Sequence, residues 1–226
     1  MAKKAGKAIG IPMELAALLG VSAKPVAKRK KSKKPLPGPA MWLQLKISLK
    51  ESNPLIWRRV EVPDTLTLDE LHIAIQIAMG WETCHLYGFT IRQIEYSPEP
   101  MSEDGRLSDI TLRELKLLPQ TEFEYIYDYG DSWQHEVEVE HVESAEDSEL
   151  VPRYLGGESP CPPEDCGGIW GYENLCQVMQ NPKHPEYESM KEWIGDWPLP
   201  EPHAVEIDDA LWYQFAPQHR RKPKGR

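Results

Sequence analysis

The spacing of apolar and polar residues changes period several times along the chain, and those changes outline a fold. Leu43, Leu45, Ile47 and Leu49 alternate with Gln44, Lys46 and Ser48, the two-residue period of a half-buried strand that begins at Met41. Asn53-Pro54 marks a turn, and residues 56–62 predict a second strand that ends at Pro63-Asp64. Arg58-Arg59 interrupts its alternation, as a bulge would. Thr67-Leu-Asp-Glu70 then has the spacing of a capping box, in which the hydroxyl and the carboxylate each accept one free N–H of a helix start. Leu68, Leu71, Ile75, Ala78 and Met79 follow at helical spacing, and Gly80 is a natural left-handed terminator.

The two-residue period returns in His85, Tyr87, Phe89 and Ile91, a third strand. Residues 96–106 read as a polar loop and residues 111–115 as a short helical turn. Phe123, Tyr125 and Tyr127 then run into the turn Asp128-Tyr-Gly-Asp131, and Trp133, His135, Val137, Val139 and His141 return on one face. Gln134, Glu136, Glu138 and Glu140 take the other face, so the pair predicts a β-hairpin. Strand, strand, helix, strand, helical turn, strand is the order of a β-grasp. The predicted fold class is therefore α+β: a β-grasp-like mixed sheet with one main packing helix, extended by a β-hairpin and a C-terminal helical segment.

That last segment follows the loop Cys161-Pro-Pro-Glu-Asp-Cys166-Gly-Gly, where two prolines stiffen the chain and two glycines release it. Tyr172, Leu175, Cys176 and Met179 form one helical stripe up to Pro182. A second stripe, Tyr187, Met190 and Ile194, is closed by Gly195. Residues 197–202 form a proline-rich extended bridge before a final helix over 205–215. Cys176 lies on its stripe as a core residue, and His72, beside the inward stripe of the first helix, reads the same way.

Charge divides the chain into three parts. The net charge of −10 conceals ten Lys/Arg against one acid in residues 1–40, and five more basic residues in 219–226. The body between them is strongly acidic, with eleven Lys/Arg against thirty-five Asp/Glu. The expected organisation is a disordered basic extension over 1–40, a single domain over 41–216 and a basic tail over 217–226. Lys28, Arg29, Lys30, Lys31, Lys33 and Lys34 are candidate contacts to nucleic-acid phosphates, or simply a solvated run. No stretch of 18 apolar residues is present, which predicts no membrane span, and four cysteines in 226 residues suit a reducing cytoplasm. The chain has no GxGxxG, Walker A, GxSxG or HExxH pattern.

Two constellations could carry chemistry. Cys161 and Cys166 have the spacing of a zinc-ligand pair, with His184, Cys84, His85 or His135 as further ligands; a redox pair and two buried structural thiols are the other readings, and the structural one is preferred. Asp128, Asp131, His135 and His85 could hold zinc or another divalent metal, or act as general bases. Against this, His135 shares its face with Trp133, Val137 and Val139, which favours a hydrogen-bonded core histidine.

Several of these motifs, in this order, resemble the plasmid pRiA4b ORF-3-like family, also labelled as a TnpR passenger of insertion elements. The carriers are Ile56-Trp-Arg-Arg-Val60, Leu71-His-Ile-Ala-Ile-Gln76 with Ala78-Met-Gly-Trp81, His85-Leu86, Tyr127-Asp-Tyr-Gly-Asp-Ser-Trp-Gln-His135, Cys161-Pro-Pro-Glu-Asp-Cys-Gly-Gly168 with Gly171-Tyr172, and His184-Pro-Glu186. They span roughly residues 42–214. The resemblance implies a small α+β domain found on plasmids and mobile elements, and it brings no established activity. The function expected from all this is a non-catalytic cytoplasmic accessory or binding protein associated with mobile DNA, with nucleic acid or another protein as partner. The alternatives are a metal-dependent nuclease or hydrolase using Asp128, Asp131, His135 and His85, and a zinc-stabilised interaction domain.

Overall fold

In the computed structural model, which describes residues 38–146 and 149–217, one eight-stranded mixed sheet forms the body of the protein. The lysine run at 28–34 and the basic residues at 220–226 lie outside the described residues. The strands are β1 (Met41–Leu49), β2 (Trp57–Pro63), β3 (Tyr87–Ile91), β4 (Ile94–Ser97), β5 (Arg106–Leu107), β6 (Glu122–Tyr127), β7 (Trp133–Ser144) and β8 (Arg153–Glu158). Their order across the sheet is β5-β4-β3-β6-β7-β1-β2-β8. Every neighbouring pair is antiparallel except β4 and β5. The α+β, β-grasp-like reading holds, and the sheet does not close into a barrel. The β6–β7 hairpin sets β7 beside β1, at the centre of the sheet.

The alternation seen in the sequence becomes one dry and one wet face. Leu43, Leu45, Ile47 and Leu49 are buried together with Val60, Val62, Phe123, Tyr125, Val137 and Val139. A fully buried Leu or Ile contributes on the order of 1.5–3 kcal/mol, so this face dominates the stability of the sheet. Helix α1 (Leu68–Met79) packs into that core, with the Thr67–Glu70 capping box formed at its start and Gly80 in the left-handed region at its end. Helices α2 (Leu112–Leu115), α3 (Gly168–Met179), α4 (Tyr187–Ile194) and α5 (Ala204–Phe215) complete the fold. Helix α5 packs on β8 and α1, where Asp208 accepts a 2.6 Å hydrogen bond from the Tyr154 amide. On the wet face, Arg59 grips Glu140 through both of its ends, at 2.6 and 2.7 Å.

The structure adds three strands, β4, β5 and β8, and corrects two expectations. The stretch read as a loop after β3 begins with β4, joined to β3 through Arg92 and Gln93, both with positive φ. Strand β8 was also unforeseen. Arg58 does not interrupt β2: it points inward in phase with Val60 and Val62, and the register shift lies against β8, between Arg59 and Val60. Cys176 is half-buried rather than a core residue.

His72 and His135 are both sealed in the core. The His72 ring stacks on Tyr87 at 3.6 Å, and its Nδ1 lies 2.7 Å from the Tyr125 hydroxyl. Gln76 donates to that same hydroxyl oxygen, so the hydroxyl proton goes to Nδ1 and the imidazole is neutral. Burial lowers both histidines to a pKa of about 3. The unfolded chain therefore takes up protons, from pH 6.5 downward, that the native state refuses. Stability is full above pH 6.5 and drains as the pH falls toward 3. Each histidine removes about 1.4 kcal/mol per pH unit in that window, so the two together cost about 4 kcal/mol at pH 5. Urea unfolding at pH 7 and pH 5, with imidazole shifts followed by NMR, checks this. Either ring titrating near 6.5 in the folded protein would refute it.

Candidate functional site

Three segments meet at one end of the sheet: the connection leaving α1 (residues 80–86), the β6–β7 turn, and the Cys161–Gly168 loop. Their meeting is dictated by hydrogen bonds that only these side chains can make. The Trp81 indole N–H donates to the Pro162 carbonyl at 2.9 Å, in a fully buried position. Tyr127, whose phenol burial keeps protonated, donates to Glu164 at 2.5 Å and accepts from the Cys84 amide at 3.1 Å. Asp131 accepts from the Gly167 amide at 3.0 Å. Gly167 and Gly168 both have positive φ, +91° and +68°, which delivers the sharp reversal their sequence predicts.

Beneath this junction lies Arg58, 2 % exposed. Its Nε donates to Ala78 O at 3.0 Å and its Nη1 to Trp57 O and Glu158 O. Its Nη2 donates to Ser159 O at 3.0 Å and to Cys161 Sγ at 2.8 Å. All five guanidinium donors are thus spent on the protein. Gly157 makes the room: a side chain there would strike Arg58 Cδ and the Trp57 carbonyl.

A cleft of about 480 Å³ opens above Arg58, between the end of α1, the Cys161 loop and the start of α5. Met79, Trp81, Pro162, Pro163, Leu199 and Pro202 give it apolar walls. Glu82, Glu164, Asp165, Glu201 and Glu206 also line it, against Arg58 and His203 as its basic groups.

The residues singled out from the sequence separate into those the fold joins and those it does not. His85 and Asp128 come together, with Nε2 3.7 Å from Oδ2, and Asp165 adds a second carboxylate at 3.3 Å. Asp131 turns instead toward Gly167, and it is Asp128 that closes the turn, accepting from the Gly130 amide at 2.9 Å. His135 is wholly buried, packed against Trp81 and Tyr125, and stands outside the His85 cluster. It is the core histidine expected, with the backbone of Tyr125 and Trp133 as the hydrogen-bonding groups beside its ring, although neither contact is well aligned.

Cys161, Cys166 and His184 do not converge as ligands among the described residues. The Cys161 thiol faces Met79 Sδ as well as Arg58, Cys166 faces the Gly168 carbonyl, and His184 Nδ1 accepts from the Glu186 amide. Burial pushes the Cys161 thiol up to about 11 and, helped by Asp131, the Cys166 thiol up to about 12. Both are therefore poor nucleophiles at neutral pH, which fits the structural reading of the pair. Asp165 and Glu164 were not foreseen as site residues; their position inside the proline-stiffened loop was the one available signal.

Comparison with known proteins places these motifs in a recurrent fold. The profile of the family described as plasmid pRiA4b ORF-3-like protein matches residues 41–209. An uncharacterized protein, y4hQ of Sinorhizobium fredii (strain NBRC 101917 / NGR234), is 36% identical over 157 residues, covering 68% of this chain and 80% of its own length. The crystal structure of MM3350, a protein of unknown function from Methanosarcina mazei Go1, superposes with a TM-score of 0.64 at 33% identity, covering 73% of this chain and 94% of that one.

Proposed function

Because the chain belongs to the plasmid pRiA4b ORF-3-like family, whose relatives bring no activity with them, its own geometry has to carry the reading: we propose that it is a non-catalytic binding protein whose site is the cleft above Arg58. The carrying observation is the imbalance of charge in that cleft. Five carboxylates line it, while the buried arginine at its base has no donor left to offer. Such a cleft favours a ligand with an apolar body and a positive group, an amine or a guanidinium, and disfavours phosphates and carboxylates. A short basic peptide has that chemistry. Apolar contact comes from Leu199, Pro163, Pro200 and Pro202, and charge recognition from Glu201 and Glu206.

Calorimetric titration with an amidated Arg/Leu hexapeptide, and with its Glu/Leu counterpart, tests this. The basic peptide binds, the acidic one does not, and added salt weakens binding. The Glu201→Gln/Glu206→Gln double variant, altered on the protein surface, binds at least about tenfold more weakly, the loss of one favourable charge contact of roughly 1.4 kcal/mol. Equal binding of both peptides, or an unchanged double variant, rules the reading out.

A further inference from the structure

At the mouth of that cleft, and independent of what fills it, the geometry points to a divalent-cation site formed by His85, Asp128 and Asp165. The three ligand atoms lie within 4.8 Å of one another. Nε2 of His85 stands 3.7 Å from Asp128 Oδ2 and 3.3 Å from Asp165 Oδ1. Donors about 2.1 Å from a shared ion are separated by roughly 3.0 Å at an octahedral edge and roughly 3.4 Å at a tetrahedral one. The two histidine–carboxylate spacings are close to the tetrahedral value, and an octahedral edge would ask for about 0.7 Å of closure between His85 and Asp128.

Two features separate this cluster from an ordinary histidine–carboxylate pair. His85 Nε2 is shielded from solvent yet forms no hydrogen bond, although a carboxylate oxygen lies within reach in distance. Its geometry is wrong for an N–H···O bond to that oxygen, so the nitrogen is left with two carboxylates nearby and no bond to either. Asp128 is also held as ligating carboxylates commonly are: the Gly130 amide fixes Oδ1, leaving Oδ2 turned toward His85. The third ligand is mobile by comparison. The Asp165 side chain is 71% exposed, against 13% for Asp128, so it can swing onto a bound ion.

A second group, Cys84, His85 and Glu164, shares the same imidazole. Glu164 is already committed through both oxygens, to the Tyr127 hydroxyl and to the Glu82 amide at 2.6 Å. The aspartate pair is therefore the free set. One imidazole and two carboxylates suit Mn²⁺ or Zn²⁺ better than Mg²⁺ or Ca²⁺, which take oxygen alone. Three protein ligands leave further coordination positions open.

The test is titration of the full chain with Mn²⁺ and with Zn²⁺ by calorimetry, together with Mn²⁺ broadening of NMR signals. One ion per chain is expected, with broadening centred on residues 84–86, 128–131 and 164–167. His85→Ala abolishes binding, and Asp165→Asn weakens it at least tenfold. Asp165 is a surface position, so that variant stays folded whatever happens to His85→Ala. No binding of either ion at 1 mM, or binding unchanged in Asp165→Asn, overturns the assignment. So does binding that is lost in Cys84→Ser but kept in Asp128→Asn, which would move the ion to the cysteine group.

Discussion

Exchanging Arg58 for methionine should lower the free energy of unfolding by about 3 kcal/mol or more, judging from the roughly 1.5–3 kcal/mol typical of a hydrogen bond to a charged group. The side chain fits the same channel, so packing survives and the loss isolates the guanidinium. Four backbone carbonyls, on Trp57, Ala78, Glu158 and Ser159, would lose their donor, the one on Ala78 in a buried position and the others partly buried. An opposing effect exists: a buried charge pays a desolvation cost that methionine does not, and apolar replacements of buried ions are sometimes neutral. The count of spent donors decides the sign here, because no carboxylate shares the load. Arg58→Lys should lose nearly as much, since one ammonium cannot span carbonyls on β2, α1 and the loop beyond β8. Urea unfolding of the three proteins measures it, and a methionine variant as stable as the parent would show that desolvation wins.

The second large effect is expected at Gly168. A Cβ there would sit well inside contact distance of the Asp131 carbonyl oxygen, a backbone atom that cannot step aside. The residue also has a φ of +68°, where L side chains are strained. Gly168→Ala therefore forces the Cys161 loop away from the β6–β7 turn, at a cost of about 2–4 kcal/mol for strain and displaced contacts together. Gly167→Ala is the control. Its φ is also positive, +91° with ψ at 33°, but the added carbon meets nothing closer than 3.6 Å, so only the backbone term remains, about 1 kcal/mol. Thermal unfolding that ranks the two variants equally would mean that the close approach carries no energy.

Much of the fold was legible because burial and period coincide. The Leu43–Leu49 alternation, the Thr67 capping box and the Gly80 terminator each state in a few residues what the structure does. The missed elements lack that coincidence. Turns with positive φ at both central positions usually show as Asn-Gly or Asp-Gly, and Arg92-Gln93 gives no such sign, so the β3–β4 hairpin went unseen. Strand β8 contains Gly156-Gly157, residues that weaken strand propensity; Gly157 leaves the space Arg58 needs, and Gly156 takes a positive φ. Arg58 itself looked like a break since arginine is rarely buried.

The candidate site was half legible for a related reason. His85 and Asp128 carry residue types that invite a metal reading, and neighbouring strands bring them together. Asp165 arrives from a loop some eighty residues beyond His85 in the chain, placed by Trp81, Tyr127 and Asp131 through contacts no local pattern announces. The same locality misled in the opposite direction at His135, which is close to Asp131 in sequence but faces the interior.

The two rims of the sheet bear on how the protein behaves when crowded. One rim is β5, only two residues long, and the other is β8, whose pairing slips at Arg59/Val60 and whose Gly156 has a φ of +149°. An outer strand polymerises when it offers a long, flat row of free amides and carbonyls to a copy of itself. Neither rim does so: one is too short to template a newcomer and the other is bent out of line. Eight strands laid side by side would otherwise invite fibre growth in both directions. Here one end of the ladder is blunted by shortness and the other by the glycine-bearing irregularity that also hid β8 from a reading of the sequence.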